Sequence, residues 1–116
     1  MAAVVNTAVD RFTNAVEHTG SEMTSVDDWM QVHAHSASYS FAANVSSSGN
    51  FTLALEANFN GNGSWFTIDT SKTINSAGQY VYFYDGKPAT TIRMRIASIS
   101  SGTVSLMPHI TVTYHG

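Results

Sequence analysis

Apolar and polar residues alternate with a period of two along most of this chain. Phe51, Leu53, Leu55 and Ala57 share one side of an extended segment, with Thr52, Ala54, Glu56 and Asn58 on the other. Trp65, Thr67 and Asp69 alternate with Phe66 and Ile68 on a return strand. Upstream, Trp29, Gln31, His33 and His35 oppose Met30, Val32 and Ala34, and the second row is predicted to face the core. Tyr39, Phe41, Ala43 and Val45 alternate with Ser40, Ala42 and Asn44. Downstream, Tyr80, Tyr82 and Tyr84 alternate with Val81 and Phe83, and Val81 and Phe83 are assigned to the apolar, inward side. Ile92, Met94 and Ile96 oppose Arg93, Arg95 and Ala97. Val104, Leu106, Ile110, Val112 and Tyr114 supply the last strand or strands, with a break or bulge at Pro108.

Glycine-, serine- and asparagine-rich stretches punctuate these segments. Asn60-Gly61-Asn62-Gly63 tolerates positive φ and predicts a turn between the strands at 51–58 and 65–69. Ser46–Asn50, Asp85-Gly86-Lys87-Pro88 and Ser100-Ser101-Gly102 are read as turns as well, and Ser36-Ala37-Ser38 as a separator. About eight short strands spaced in this way predict an all-β fold, an antiparallel β-sandwich. Its connectivity is either a jelly roll or an immunoglobulin-like Greek key. Residues 1–24 fit two patterns: Val5, Val9, Phe12 and Val16 make a helical face, whereas Phe12, Asn14 and Val16 also alternate as a strand. They are taken as an N-terminal arm or edge segment, ahead of a sandwich domain over 25–116.

Composition narrows the function classes. The 116 residues suit one domain. Only 11% are charged, against roughly 25% in an average soluble domain. Neutral polar side chains cost less to desolvate than charges, which suits a surface partly covered by other proteins. The formal charge of -3 comes without a basic stripe, so nucleic-acid binding is not expected. Cysteine is absent, which removes disulfides and thiolate metal sites. No stretch reads as a membrane span, and the apolar run before Asp10 and Arg11 is too short for a cleaved leader.

Candidate chemistry is sparse. His33 and His35, at i and i+2, could share a metal if His109 or His115 supplied a third ligand. Nothing in the sequence brings that ligand near, so they are read as polar side chains on a solvent or interface surface. Asp27-Asp28, or Glu56 with Asp69, could suggest paired acids. The adjacent aspartates instead suit the turn before Trp29, and Glu56 suits a cross-strand structural pairing with Arg93 or Arg95. The nucleophile elbow, zinc-protease, P-loop, dinucleotide and EF-hand patterns do not occur. No catalytic residue, metal or cofactor is therefore expected, and the chain is read as a non-enzyme. Trp29, His33, His35, Tyr80, Tyr82 and Tyr84 form the candidate interface. For the tyrosines, a packed core face and a glycan-stacking platform are the alternatives.

The order of features from Trp29 to Val112 resembles small β-sandwich structural proteins of tailed bacteriophages. The resemblance is carried by SFAANVSSSGNFTLALEANFNGNGSWFTI, QYVYFYDG and TIRMRIASISSGTVSLMPHITV. In that group an L-E-x-S-like unit precedes an N/D-G turn, an aromatic return and a later R-x-R/N-V/I strand. Leu55-Glu56-Ala57-Asn58, Asn62-Gly63, Trp65-Phe66-Thr67-Ile68 and Arg93-Met94-Arg95-Ile96 hold those places. Asn58 and Asn62 depart from the usual serine and aspartate. The resemblance implies a non-enzymatic virion component, assembled in the host cytoplasm. It would be a capsid decoration or cement protein, or a small head–tail protein. Its partner would be the major capsid protein or another virion protein. It also implies a homo-oligomer, commonly a trimer, with neither nucleic acid nor membrane as partner. The alternative is a carbohydrate- or receptor-binding module of a phage appendage.

Overall fold

The computed structural model describes residues 2–10, 15–59 and 64–114, with every side chain among them except those of Asp10, His35, Ser47 and Ser48. The predicted Asn60–Gly63 turn and His115 lie outside the described residues. Six strands follow one another: β1 (Val5–Asp10), β2 (Ala15–Gly20), β3 (Trp29–Asn58), β4 (Phe66–Thr67), β5 (Lys72–Ile74) and β6 (Gly78–Thr113). All their pairings are antiparallel.

β3 and β6 pair with each other twice. Residues 29–45 of β3 run against 78–95 of β6, from Trp29↔Arg95 to Val45↔Gly78. Residues 38–58 run against 91–113, from Ser38↔Thr113 to Asn58↔Thr91. Segment 38–45 is therefore flanked on both sides, by 78–85 and by 106–113. Segment 91–95 is flanked by 29–33 and by 54–58. One layer runs β1, β2, 106–113, 38–45, 78–85. The other runs 29–33, 91–96, 51–58, with β4 and β5 along its far side. The chain is an all-β antiparallel sandwich of jelly-roll-like organisation, because the same two long strands pass through both layers.

This corrects the expectation of many short strands separated by turns. The stretches 36–38, 46–50, 85–88 and 100–102 do not reverse the chain. They are places where the register between β3 and β6 slips. Bulged residues bend and coil a ribbon without ending it, which lets one strand leave one layer and enter the other. Gly86 and Gly102 take positive φ at two of these bends. At the second, Gly49 and Gly102 pack backbone to backbone, and a Cβ on Gly49 would collide with the Ser101 carbonyl. Pro108 likewise ends nothing, since it pairs with Ala43 inside β6. Alternate amides of a strand point the same way, so the Pro108 nitrogen shares a side with Leu106 N–H, which donates to Met23 O at 3.1 Å. That side is open between Thr19↔His109 and Met23↔Leu106, where a missing donor costs least.

The core follows from the alternation. Met30, Val32 and Ala34, then Tyr39, Phe41, Ala43 and Val45, then Phe51, Leu53, Leu55 and Ala57 are all buried along β3. Ile92, Met94, Ile96, Val104, Leu106, Ile110 and Val112 answer them from β6. On segment 78–85 the expected faces are reversed. Val81 and Phe83 point outward, with Phe83 79% exposed, whereas Tyr84 is buried. The register explains the reversal. Tyr84, Tyr82 and Tyr80 pair with Tyr39, Phe41 and Ala43, so the tyrosines share the inward face of those residues. Tyr84 sits 6.0 Å from both the Tyr39 and Phe41 rings.

Residues 5–10 and 15–20 form a hairpin at the edge of the first layer, through β2 against 109–113. Met23 is buried and exchanges two backbone hydrogen bonds with Leu106.

Neighbouring residues on opposite faces should respond differently to truncation. Tyr84→Ala is expected to cost about 3 kcal/mol of unfolding free energy in a urea titration, and Phe83→Ala less than about 0.5 kcal/mol. Equal losses would contradict the inward placement of the tyrosines.

Candidate functional site

The outer face of the second layer is organised by one carboxylate. Glu56 lies on β3 opposite Arg93 of β6 and beside Arg95, because both arginines alternate outward from Ile92, Met94 and Ile96. Its Oε1 accepts from Arg93 Nε at 2.8 Å and Arg95 Nε at 3.0 Å. Its Oε2 accepts from Arg95 Nη2 at 3.4 Å. Arg95 Nη1 donates onward to Asp27 Oδ1 at 2.8 Å. The Trp65 indole covers Arg93, with the guanidinium carbon 4.0 Å from the ring centroid. Glu56 is only 7% exposed.

Burial pushes the Glu56 carboxyl up, but hydrogen bonds and charge from Arg95 and Arg93 outweigh it and hold the group below the usual glutamate range. A carboxylate with both oxygens engaged and little affinity for a proton is a poor general base. The arrangement locks the central strands of the second layer.

The other acids have separate tasks. Asp28 Oδ2 accepts from the backbone amides of Thr24 and Ser25 at 2.9 and 3.0 Å, closing the turn before Trp29. Asp27 holds φ at 67°, which suits the same tight turn. Asp69 binds Lys72 Nζ at 3.1 Å and accepts from the Tyr84 hydroxyl at 3.3 Å. Burial and the Asp69 charge push that phenol up to about 12.

The candidate interface residues do not converge. Trp29 is half-buried, and its carbonyl accepts from Ala3 N–H at 2.8 Å. His33 is exposed, with Nδ1 3.4 Å from Thr91 Oγ1. The His35 side chain lies outside the described residues. Tyr80 and Tyr82 are half-buried on the inner side. The Tyr80 hydroxyl donates to Ser76 O at 2.7 Å, and Lys72 sits over the Tyr82 ring. An exposed tyrosine stripe is therefore corrected to a packed inner face. His109 belongs to the first layer, 3.3 Å from Thr19 Oγ1, and His33 to the second. Among the described residues no group of three metal-binding side chains comes together.

Two surfaces stand out instead. On the outer face of the first layer, Ser38 and Ser40 lie between Phe83 and Asp85 on one side and Thr111 and Thr113 on the other. These residues line an open trough of about 470 Å³. The Ser38 hydroxyl donates to Asp85 Oδ1 at 2.6 Å, engaging one of the two carboxylate oxygens. A second notch of about 340 Å³ lies among Phe59, Phe66, Ile68, Lys87 and Pro88, with the Phe59 and Phe66 rings 5.9 Å apart. Sequence parity assigns Phe83 to the inward side, and only the register of 78–85 against 38–45 turns it outward to line the trough.

A scan of family models and a search of curated proteins found no match. Among solved structures, the chain is similar to the Cupin_2 domain of an XRE family transcriptional regulator from Enterobacter cloacae, at 14% identity and a TM-score of 0.49, covering 100% of both chains. It is also similar to a CBM4 structure, at 10% identity and a TM-score of 0.39, covering 92% of this chain and 73% of that one.

The Glu56 cluster makes a stability prediction. A carboxyl whose folded pKa lies below its unfolded value, about 4.3, contributes stability above that value. The contribution is lost as pH falls through the depressed folded value. Glu56→Gln is expected to lower unfolding free energy at pH 7 by about 3 kcal/mol, because two arginines lose their counter-charge. It should also flatten the acid limb of a stability–pH curve. An unchanged acid limb would show that the cluster does not couple to folding.

Proposed function

We propose that this chain is a non-enzymatic virion structural protein, a capsid decoration or cement protein that binds an assembled shell through the outer face of its first layer. The observation that carries the reading is the exposed Phe83, beside half-exposed Val81, on a face whose neighbouring floor is neutral serine and threonine. Apolar anchors beside side chains that are mostly neutral and cheap to desolvate, with Asp85 hydrogen-bonded to Ser38 as the charged exception, suit protein contact. The resemblance of the 29–112 stretch to tailed-phage structural proteins supports the same reading. Its mechanism is linkage. A protein that binds the assembled state and not its dissociated subunits stabilises assembly by about 2.7 kcal/mol per site when present at 100 times its dissociation constant.

A second reading, a carbohydrate- or receptor-binding module of an appendage, is favoured by the trough itself. Phe83 offers an apolar ring beside the hydroxyls of Ser38, Ser40, Thr111 and Thr113 and the Asp85 carboxylate. An apolar wall with a few polar groups fixing orientation is the general form of a small-ligand site.

Co-sedimentation with expanded empty tailed-phage shells separates the readings. Shell binding should be saturable, raise the shell's melting temperature, and weaken about tenfold or more in Phe83→Ala. Folded protein that ignores shells yet binds a glycan array, with loss in Phe83→Ala, selects the second reading.

A further inference from the structure

The first layer ends at segment 78–85. That segment pairs with 38–45 on one side, and among the described residues no strand or backbone hydrogen bond meets its other side. Proteins usually protect such an edge with charge, proline or a bulge, because its open amides and carbonyls template further pairing. Gln79-Tyr80-Val81-Tyr82-Phe83-Tyr84 contains no charge, no proline and no glycine. It is also rich in aromatic and β-branched residues, which favour strands.

We propose that a second copy of this chain pairs antiparallel with this edge, about a two-fold axis at Tyr82. The axis sets Val81 of each copy opposite Phe83 of the other. Both residues lie on the outer face, 49% and 79% exposed, and each gains the aromatic–β-branched cross-strand partner that it lacks in one copy. Self-complementarity chooses the occupant. Two apolar residues spaced two apart around a central tyrosine match their own reverse, and an uncharged strand meets no like charge in its twin. The contact is isologous and closes at two copies, unlike the trimer that the phage resemblance implies. It joins two first layers into one sheet, with four apolar side chains at its centre and a trough on either side.

The pairing stands apart from the shell-binding reading, since either could fail with the other intact. Sedimentation equilibrium of the full chain over a concentration series tests it. A monomer–dimer equilibrium is expected. Val81→Lys/Phe83→Lys places like charges opposite each other twice and should weaken the dimer about tenfold or more. Val81→Lys/Phe83→Glu places each introduced lysine opposite an introduced glutamate and should keep the dimer. Both variants alter exposed side chains, and circular dichroism verifies their fold. A monomer at every concentration, a trimer, or two variants that behave alike would overturn the pairing.

Discussion

The double pairing of β3 with β6 is the constraint from which the rest of the structure follows. Each long strand has the other for a neighbour on both sides over part of its length. Segments 38–45 and 91–95 are consequently interior strands of the two layers. An interior strand must bury one face completely, and its period of two then fixes what every other residue can be. Tyr39, Phe41, Ala43 and Val45 go inward together, as do Ile92, Met94 and Ile96. A one-residue slip anywhere would turn a whole row outward. Most slips fall at bends between the layers, where glycine, serine and asparagine relax the ladder, and one more, at Ala97, lies within the second layer between Thr52↔Ser98 and Leu53↔Ile96.

The same constraint gives the two outer faces different chemistry. On the second layer it places Arg93 and Arg95 outward at i and i+2, with Glu56 directly across. Two guanidinium groups on one buried carboxylate leave little proton affinity and no free oxygen. That face is a lock. On the first layer, residues outward of the aromatic core are small and neutral: Ser38, Ser40, Thr111 and Thr113. The most exposed bulk on this face comes from Phe83 and Val81, at the edge of the layer, with Met107 adding apolar surface on segment 106–113. The most exposed large apolar side chain, Phe83, therefore sits at one edge of that face.

How much was legible in the sequence depended on whether parity or register decided the question. Parity within β3 settles the inward rows from Met30 to Ala57, because polar residues and alanine, from Gln31 and His33 through Ser40 and Asn44 to Thr52 and Glu56, fill most of the opposite positions. Parity also places Glu56 opposite Leu55 in direction, and the two arginines opposite Met94. It fails at 79–84, where Tyr, Val and Phe are all good strand residues and either row could be apolar. Only the long-range register Tyr39↔Tyr84 decides that case. The phenol groups then find Asp69 and Ser76 at the margin of the core, which makes burial tolerable. Bends were equally opaque. Asp85-Gly86-Lys87-Pro88 has the composition of a reversal, and nothing local distinguishes a hairpin from a bulge that carries a ribbon between layers.

The central claim is that the outer face around Phe83 is where this chain meets its assembly. A density map of the purified particle at side-chain resolution addresses it most directly. The shell-binding reading requires this chain on the particle, with Phe83 and Val81 turned toward a neighbouring subunit and the Glu56–Arg93–Arg95 face away from that contact. A particle that lacks the chain, or one that holds it with Phe83 facing open solvent, would contradict it.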